Sequence, residues 1–245
     1  MPEITVVLNQ KGGIGKSTIT VNLAAVYADI LKNGGGDEDT AVAAISIDPQ
    51  GSAVWWSERV ERAGRVLPFH FIDGSSDIGG LKKLRRIKAD IVIVDTPGWL
   101  PLGHDGESID PLGEGPTADA LRAVLDVADD VIVPLETDPL GFKPTQTTIE
   151  RVIKPRGLPY GVVISNWEPR DGQVDLKDTQ ELVNKQGWPL YNSTIRHFRL
   201  HARASAEGLV CTQYLSNHTA TKAKQDFFAL ALEHQIRRRK NGGTR

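Results

Sequence analysis

Apolar positions in this chain fall into two alternating rhythms. Ile4–Leu8 is an unbroken, largely β-branched run that stops at Asn9; beyond the glycine-rich Lys11–Lys16, apolar residues return at helical spacing through Ser17–Leu31. That order predicts a strand, a loop and a helix. The alternation continues with strands at Ala41–Ile47 and Val66–Ile72 and helices at Ala53–Ala63 and Ile78–Ile87. Further strands are predicted at Ile91–Val94, Val131–Leu135 and Tyr160–Ser165, with helices near Thr117–Val127 and Gln146–Ile153 and a last one over Ala220–Lys240. Short strands that are apolar on both faces, alternating with helices, predict an α/β fold with a mostly parallel sheet and helices on both faces. Asn33–Thr40 and Gly98–Pro116 break the rhythm with turn-forming residues and read as surface excursions. The chain reads as one domain over residues 1–240, with a disordered tail over Asn241–Arg245.

Composition narrows the class. With 245 residues, 40% hydrophobic and 24% charged, the chain matches an ordinary soluble domain, and no apolar run approaches the roughly 20 residues that span a bilayer. Met1-Pro2-Glu3 leads directly into the first strand without the basic and apolar regions of a signal peptide, so a cytoplasmic location is expected. Cys211 is the only cysteine, which excludes an intrachain disulfide and any metal or iron–sulfur site built from several cysteines of one chain. The net charge of −2 conceals a division. Ala89–Phe142 holds twelve acids and one base, Arg122, whereas Leu182 to the end holds eleven bases and three acids. A basic terminal third in a mildly acidic chain is the footprint of a polyanion-binding face.

The densest chemistry lies in Lys11-Gly12-Gly13-Ile14-Gly15-Lys16-Ser17-Thr18. A triphosphate needs converging backbone N–H groups, glycines that let the chain approach closely, and a helix N-terminus with its positive dipole. A glycine-rich loop between strand and helix supplies all three. Lys16 is placed to reach the β- and γ-phosphates and the Ser17 hydroxyl to ligate Mg²⁺, with Gly12, Gly13, Ile14, Gly15 and Thr18 completing the cradle. Ile91–Val94 then delivers Asp95 to the carboxyl end of a buried strand, where parallel sheets bind ligands, as a carboxylate that holds Mg²⁺ through its water shell.

The second lysine, Lys11, makes the loop specific. Asn9 to Thr18, running on into Val21-Asn22-Leu23-Ala24, resembles the deviant Walker A box of the ParA/MinD ATPases, closest to the short ParA partition ATPases, and so implies a P-loop NTPase fold. The resemblance implies that Lys11 reaches across a dimer to the partner's nucleotide. Asp48-Pro49-Gln50-Gly51-Ser52 is similar to the family's switch loop, which makes Asp48 the candidate for aligning the attacking water. This chain departs from the family pattern at Ser46, where an aspartate is usual. Val162–Asn166 resembles the strand whose final asparagine, here Asn166, meets the adenine. The catalytic set is thus Lys11, Lys16 and Asp48.

The stretch Thr194–Ala204 carries Arg196, Arg199 and Arg203 with no acid between Glu181 and Glu207. Guanidinium groups on one patch suit phosphate backbones. The family's DNA contacts also include bases before the last helix, which adds Lys222 and Lys224. His197 and His201, four residues apart, lack a third ligand and do not make a zinc site. The five tryptophans, Trp55, Trp56, Trp99, Trp167 and Trp188, read as packing residues. In Ala220–Lys240 the residues Phe227, Phe228, Leu230, Leu232 and Ile236 read as packing on the sheet, with Arg237–Lys240 beyond them. The resemblance implies an ATP-dependent homodimer that binds DNA without sequence preference, is nucleoid-associated, and is released when a centromere-binding, ParB-like partner stimulates hydrolysis. ATP and Mg²⁺ are the expected cofactors and no membrane is expected. A membrane-cycling ATPase of the MinD type would share every nucleotide motif and differ at the C-terminus.

Overall fold

In the computed structural model, which describes residues 1–33, 41–99, 110–215 and 217–242, seven strands form one sheet. They are β1 (Glu3–Val7), β2 (Val42–Ser46), β3 (His70–Asp73), β4 (Ile91–Asp95), β5 (Asp130–Leu135), β6 (Tyr160–Trp167) and β7 (Leu190–Arg196). Their order is β3-β2-β4-β1-β5-β6-β7, and every neighbouring pair is parallel. The helices are α1 (Lys16–Asn33), α2 (Ser52–Arg62), α3 (Ile78–Leu81), α4 (Pro116–Leu125), α5 (Phe142–Thr147), α6 (Val174–Lys185), α7 (Arg199–Ala206) and α8 (His218–Gly242). This is the doubly wound α/β architecture expected from the alternating pattern.

The two-residue period of each strand sends neighbouring side chains to opposite cores. Ile4, Val6, Val92, Val94, Val131 and Val133 pack with Leu121 and Val124 of α4 and with Ile149, Val152 and Ile153. Val7, Ile93 and Ile132 face the other way, onto Leu23 and Tyr27 of α1, Trp56 of α2 and Phe227 and Leu230 of α8. Each such buried aliphatic or aromatic side chain contributes about 1.5–3 kcal/mol. A polar chain crosses this second core: Tyr27 Oη lies 2.6 Å from His234 Nδ1, and His234 Nε2 lies 2.9 Å from Asp130 Oδ2, fastening α8 to α1 and the sheet.

Several boundaries differ from the sequence reading. β3 starts at His70 rather than Val66, since Pro68 has no N–H for a ladder. The helix expected over Ile78–Ile87 shrinks to α3 and a 3₁₀ turn, Leu84–Arg86, because Gly79 and Gly80 weaken it. α5 begins before Gln146 and continues as a π-helical stretch, Thr148–Ile153. α6, β7 and α7 are additional elements. β7 is an edge strand whose Asn192, Ser193 and Thr194 hide it from an apolar template. α8 runs on through Gly242; residues 243–245, like 34–40 and 100–109 of the two surface excursions, lie outside the described residues. On α8, Phe227 and Leu230 are buried as expected, but Leu232 and Ile236 are exposed, because that side of the helix turns away from the sheet.

Candidate functional site

The strand register gathers the site. Val7 pairs with Asp95 and Ser46 pairs with Asp95, so β1, β2 and β4 end side by side, and the Asn9–Ser17 loop rises from that edge into α1. Gly13 and Gly15 hold φ of 79° and 86°, a region that side chains with a Cβ rarely adopt. The loop is braced from three neighbours. Asn9 Nδ2 donates to the Pro134 carbonyl and to Thr145 Oγ1, the Gln10 amide donates to Thr148 Oγ1, and Ser165 Oγ donates to the Ile14 carbonyl. A Cβ on Gly98 would meet the Gln10 carbonyl oxygen and the Gly12 nitrogen at 2.9 Å, so the backbone after β4 lies directly against the loop.

A cavity of about 630 Å³ opens over the loop, lined by Gly12, Gly13, Gly15, Lys16, Ser17, Thr18 and Asp48 among others. Lys16 is buried, and its Nζ donates to the Lys11 carbonyl at 2.7 Å. Burial lowers its pKa to about 8, with Asp95 and Asp48 pulling the other way. Asp95 is fully buried; burial raises its carboxyl to about 7, against the Ser17 hydroxyl that donates to Oδ2 at 2.9 Å. Ser46 Oγ donates to the same oxygen at 3.3 Å, from the position where the sequence departs from the family's usual aspartate. Asp95 Oδ1 is buried with no hydrogen-bond partner among the described residues. A buried lysine beside a half-satisfied buried carboxylate is an arrangement that a polyanion with a divalent cation completes. Among the described residues no cluster of three His, Cys, Asp or Glu side chains could hold a metal by itself, so Mg²⁺ here would rest on Ser17 and phosphate oxygens, with Asp95 behind them.

Lys11 and Asn166 both have partners within the chain. Lys11 Nζ pairs within its own chain with Glu136 at 3.1 Å and Asp138 at 3.2 Å, and although burial lowers its pKa, these two carboxylates raise it further. Asn166 is, among the described residues, the one non-glycine with positive φ, at 56°. Its Nδ2 donates to Glu136 at 2.8 Å and to the Gly13 carbonyl at 3.3 Å. Glu136 therefore bridges Lys11 and Asn166. The sequence signal for it was the one that exposed Asp95, an acid at the carboxyl end of an apolar strand.

A second cavity of about 590 Å³ continues from the first, sharing Ser17, Thr18, Gln50 and Ser52 and extending to Trp55, Asn166, His197 and Phe198. Beyond it lies a cleft of similar size lined by Arg196, Arg199, Arg203, His218 and Lys222. Arg199 and Arg203 are exposed and Lys222 half-buried, and none of the three is ion-paired among the described residues. Arg196 is clamped: Asp226 receives its guanidinium at 2.5–3.1 Å and the Lys222 carbonyl at 3.0 Å. Lys224 lies over the Phe228 ring at 5.1 Å. His201, half-buried against Phe198 and Phe227 and within 3.0 Å of Tyr214 Oη, is a packing residue whose pKa desolvation lowers to about 4.

Comparison with known proteins agrees with this geometry. The family described as the CobQ/CobB/MinD/ParA nucleotide binding domain matches residues 5–210. Maintenance of carboxysome distribution protein A of Gloeobacter kilaueensis is 31% identical over 233 residues, covering 95% of this chain and 94% of its own. Chromosome-partitioning ATPase Soj of Thermus thermophilus is 28% identical over 224 residues, covering 77% and 80%. The crystal structure of the Pyrococcus furiosus cell division ATPase MinD superposes with a TM-score of 0.66 at 19% identity, covering 96% of this chain and 99% of that one. The chain belongs to the CobQ/CobB/MinD/ParA family of nucleotide-binding domains, whose ParA and MinD members are ATPases.

Proposed function

We propose that this protein is an ATP-switched partition ATPase that uses DNA as its track. ATP binding pairs two copies, the pair binds DNA without sequence preference, and hydrolysis, stimulated by a partner bound to the cargo, releases it. The cargo carried forward from the sequence is a plasmid or chromosome held by a centromere-binding, ParB-like protein, and the location is the nucleoid. The relative named for carboxysome distribution supports a second reading of the cargo, a protein body, with the same chemistry.

In this reading the loop amides and Lys16 hold the triphosphate, Asn166 borders the base, and Asp48, 8% exposed at the cavity wall with Gln50 N donating to its Oδ1, aligns water for in-line attack on the γ-phosphorus. Mg²⁺, when bound, screens charge on the β- and γ-phosphates. Lys11 leaves Glu136 and Asp138 and turns to the partner's γ-phosphate, which ATP offers and ADP lacks.

The observation that carries the proposal is the segment His197–Arg199, which lines both the cavity beside Ser17 and the cationic cleft. A nucleotide and a phosphate backbone would touch opposite sides of the same three residues. A membrane role is less well supported, because the apolar residues of α8 are divided: Phe227, Leu230 and Ala231 are buried, leaving Leu232 and Ile236 outside. Among the described residues no helix is long and apolar enough to cross a membrane. Gel filtration and DNA binding with ADP, with ATP, and with ATP on Lys11→Ala test the reading. Dimers that bind DNA are expected with ATP alone; a chain that remains single with saturating ATP would overturn it.

A further inference from the structure

Of the five tryptophans, Trp56, Trp99 and Trp188 are buried and Trp167 is half-buried, as packing residues should be. Trp55 is 40% exposed. Its neighbour Trp56 donates from Nε1 to the Leu209 carbonyl at 3.1 Å and anchors α2, so Trp55 is not needed for that task. Instead its indole lines the cavity that continues from the phosphate loop, together with Asn166 and Phe198. The Arg59 guanidinium, one turn further along α2, lies 4.9 Å from the ring centroid and holds the indole in place by a cation–π contact. Trp55 also sits on the first turn after Gly51, and its amide donates to the Gly51 carbonyl at 2.7 Å, so its position is tied to the loop carrying Asp48.

An exposed, oriented aromatic plane on the wall of a cavity of about 590 Å³ is a stacking platform. We propose that Trp55 stacks on the base of the bound nucleotide and so separates nucleotides from simple polyphosphates. The proposal rests on the nucleotide reading of the phosphate loop. It adds a contact from α2, the helix that follows the switch loop, and makes base occupancy felt at Asp48.

Calorimetric titration of the full chain with Mg·ATP and with Mg·tripolyphosphate tests it, using the unaltered protein, Trp55→Ala and Trp55→Phe. Trp55→Ala should weaken ATP about tenfold and change tripolyphosphate less than twofold, while Trp55→Phe keeps most of the ATP affinity. ATP should also alter the tryptophan fluorescence of the unaltered chain more than that of Trp55→Phe. Equal ATP affinity in Trp55→Ala and the unaltered chain, or an equal loss for both ligands, overturns the stacking role while leaving nucleotide binding intact. Failure of the unaltered chain to bind ATP at all would overturn the nucleotide reading and the proposal together.

Discussion

At the scale of single residues, burial sets how readily Lys16 gives up its proton, and a bound polyanion would set it back. Lys16 has an ordinary value near 10.5 and is lowered to about 8 by burial, so its ammonium gives up a proton more readily than a lysine in water while staying charged at pH 7. A lowered folded value means that stability without nucleotide rises as pH climbs from about 8 toward 10.5. A bound triphosphate reverses this shift and favours the ammonium. Above pH 8 binding must therefore take up a proton, and affinity should fall by up to about tenfold per pH unit. Titrations at pH 7 and pH 9 in buffers of different ionisation enthalpy should show uptake at the higher pH, and Lys16→Arg should abolish the difference. Lys16, Ser17 and Asp95 were legible in the sequence because their roles follow from local spacing. Glu136 carried the same signal as Asp95 but was passed over, whereas Thr145, Thr148 and Ser165 carried none, because what makes them matter is a contact with a loop more than a hundred positions away.

Among elements, the sheet edge at β7 and the stretch of α8 from Asp226 to Glu233 form one unit. The Arg196 guanidinium and backbone amide both bond to Asp226, and the amides of Asn192 and Ser193 bond to Glu233. Asp226 is 7% exposed, so removing either partner leaves a poorly hydrated charge. Asp226→Ala should destabilise the chain by about 2–4 kcal/mol, seen as a lower denaturation midpoint in urea. The central strands β1, β2, β4, β5 and β6 were readable as apolar runs. β7, α6 and α7 were not: β7 is half-exposed and polar, α6 buries only Thr179 and Val183, and α7 buries only Ala204. The arginines of the basic stretch were therefore visible as a composition before their division between clamp and cleft could be seen.

For the whole molecule, the cationic cleft should dominate the response to salt. If Arg199 and Lys222 meet phosphates, each alanine substitution should reduce the slope of log affinity for DNA against log salt by about one. Arg196→Ala should leave the slope nearly unchanged, since Asp226 already neutralises it. Filter binding across a salt series separates the two classes. The sheet order has a different consequence, for the making of the protein. β1 lies between β4 and β5, so once made it gains both neighbours only when the chain has grown on to residue 135. At about 5–20 residues per second that takes roughly 6–26 s. Until β4 is made β1 has neither neighbour, and from then until β5 is complete one of its edges stays unpaired. A chain cut short before β5 would therefore leave a sticky edge of the sheet's central strand open to chaperones and proteases.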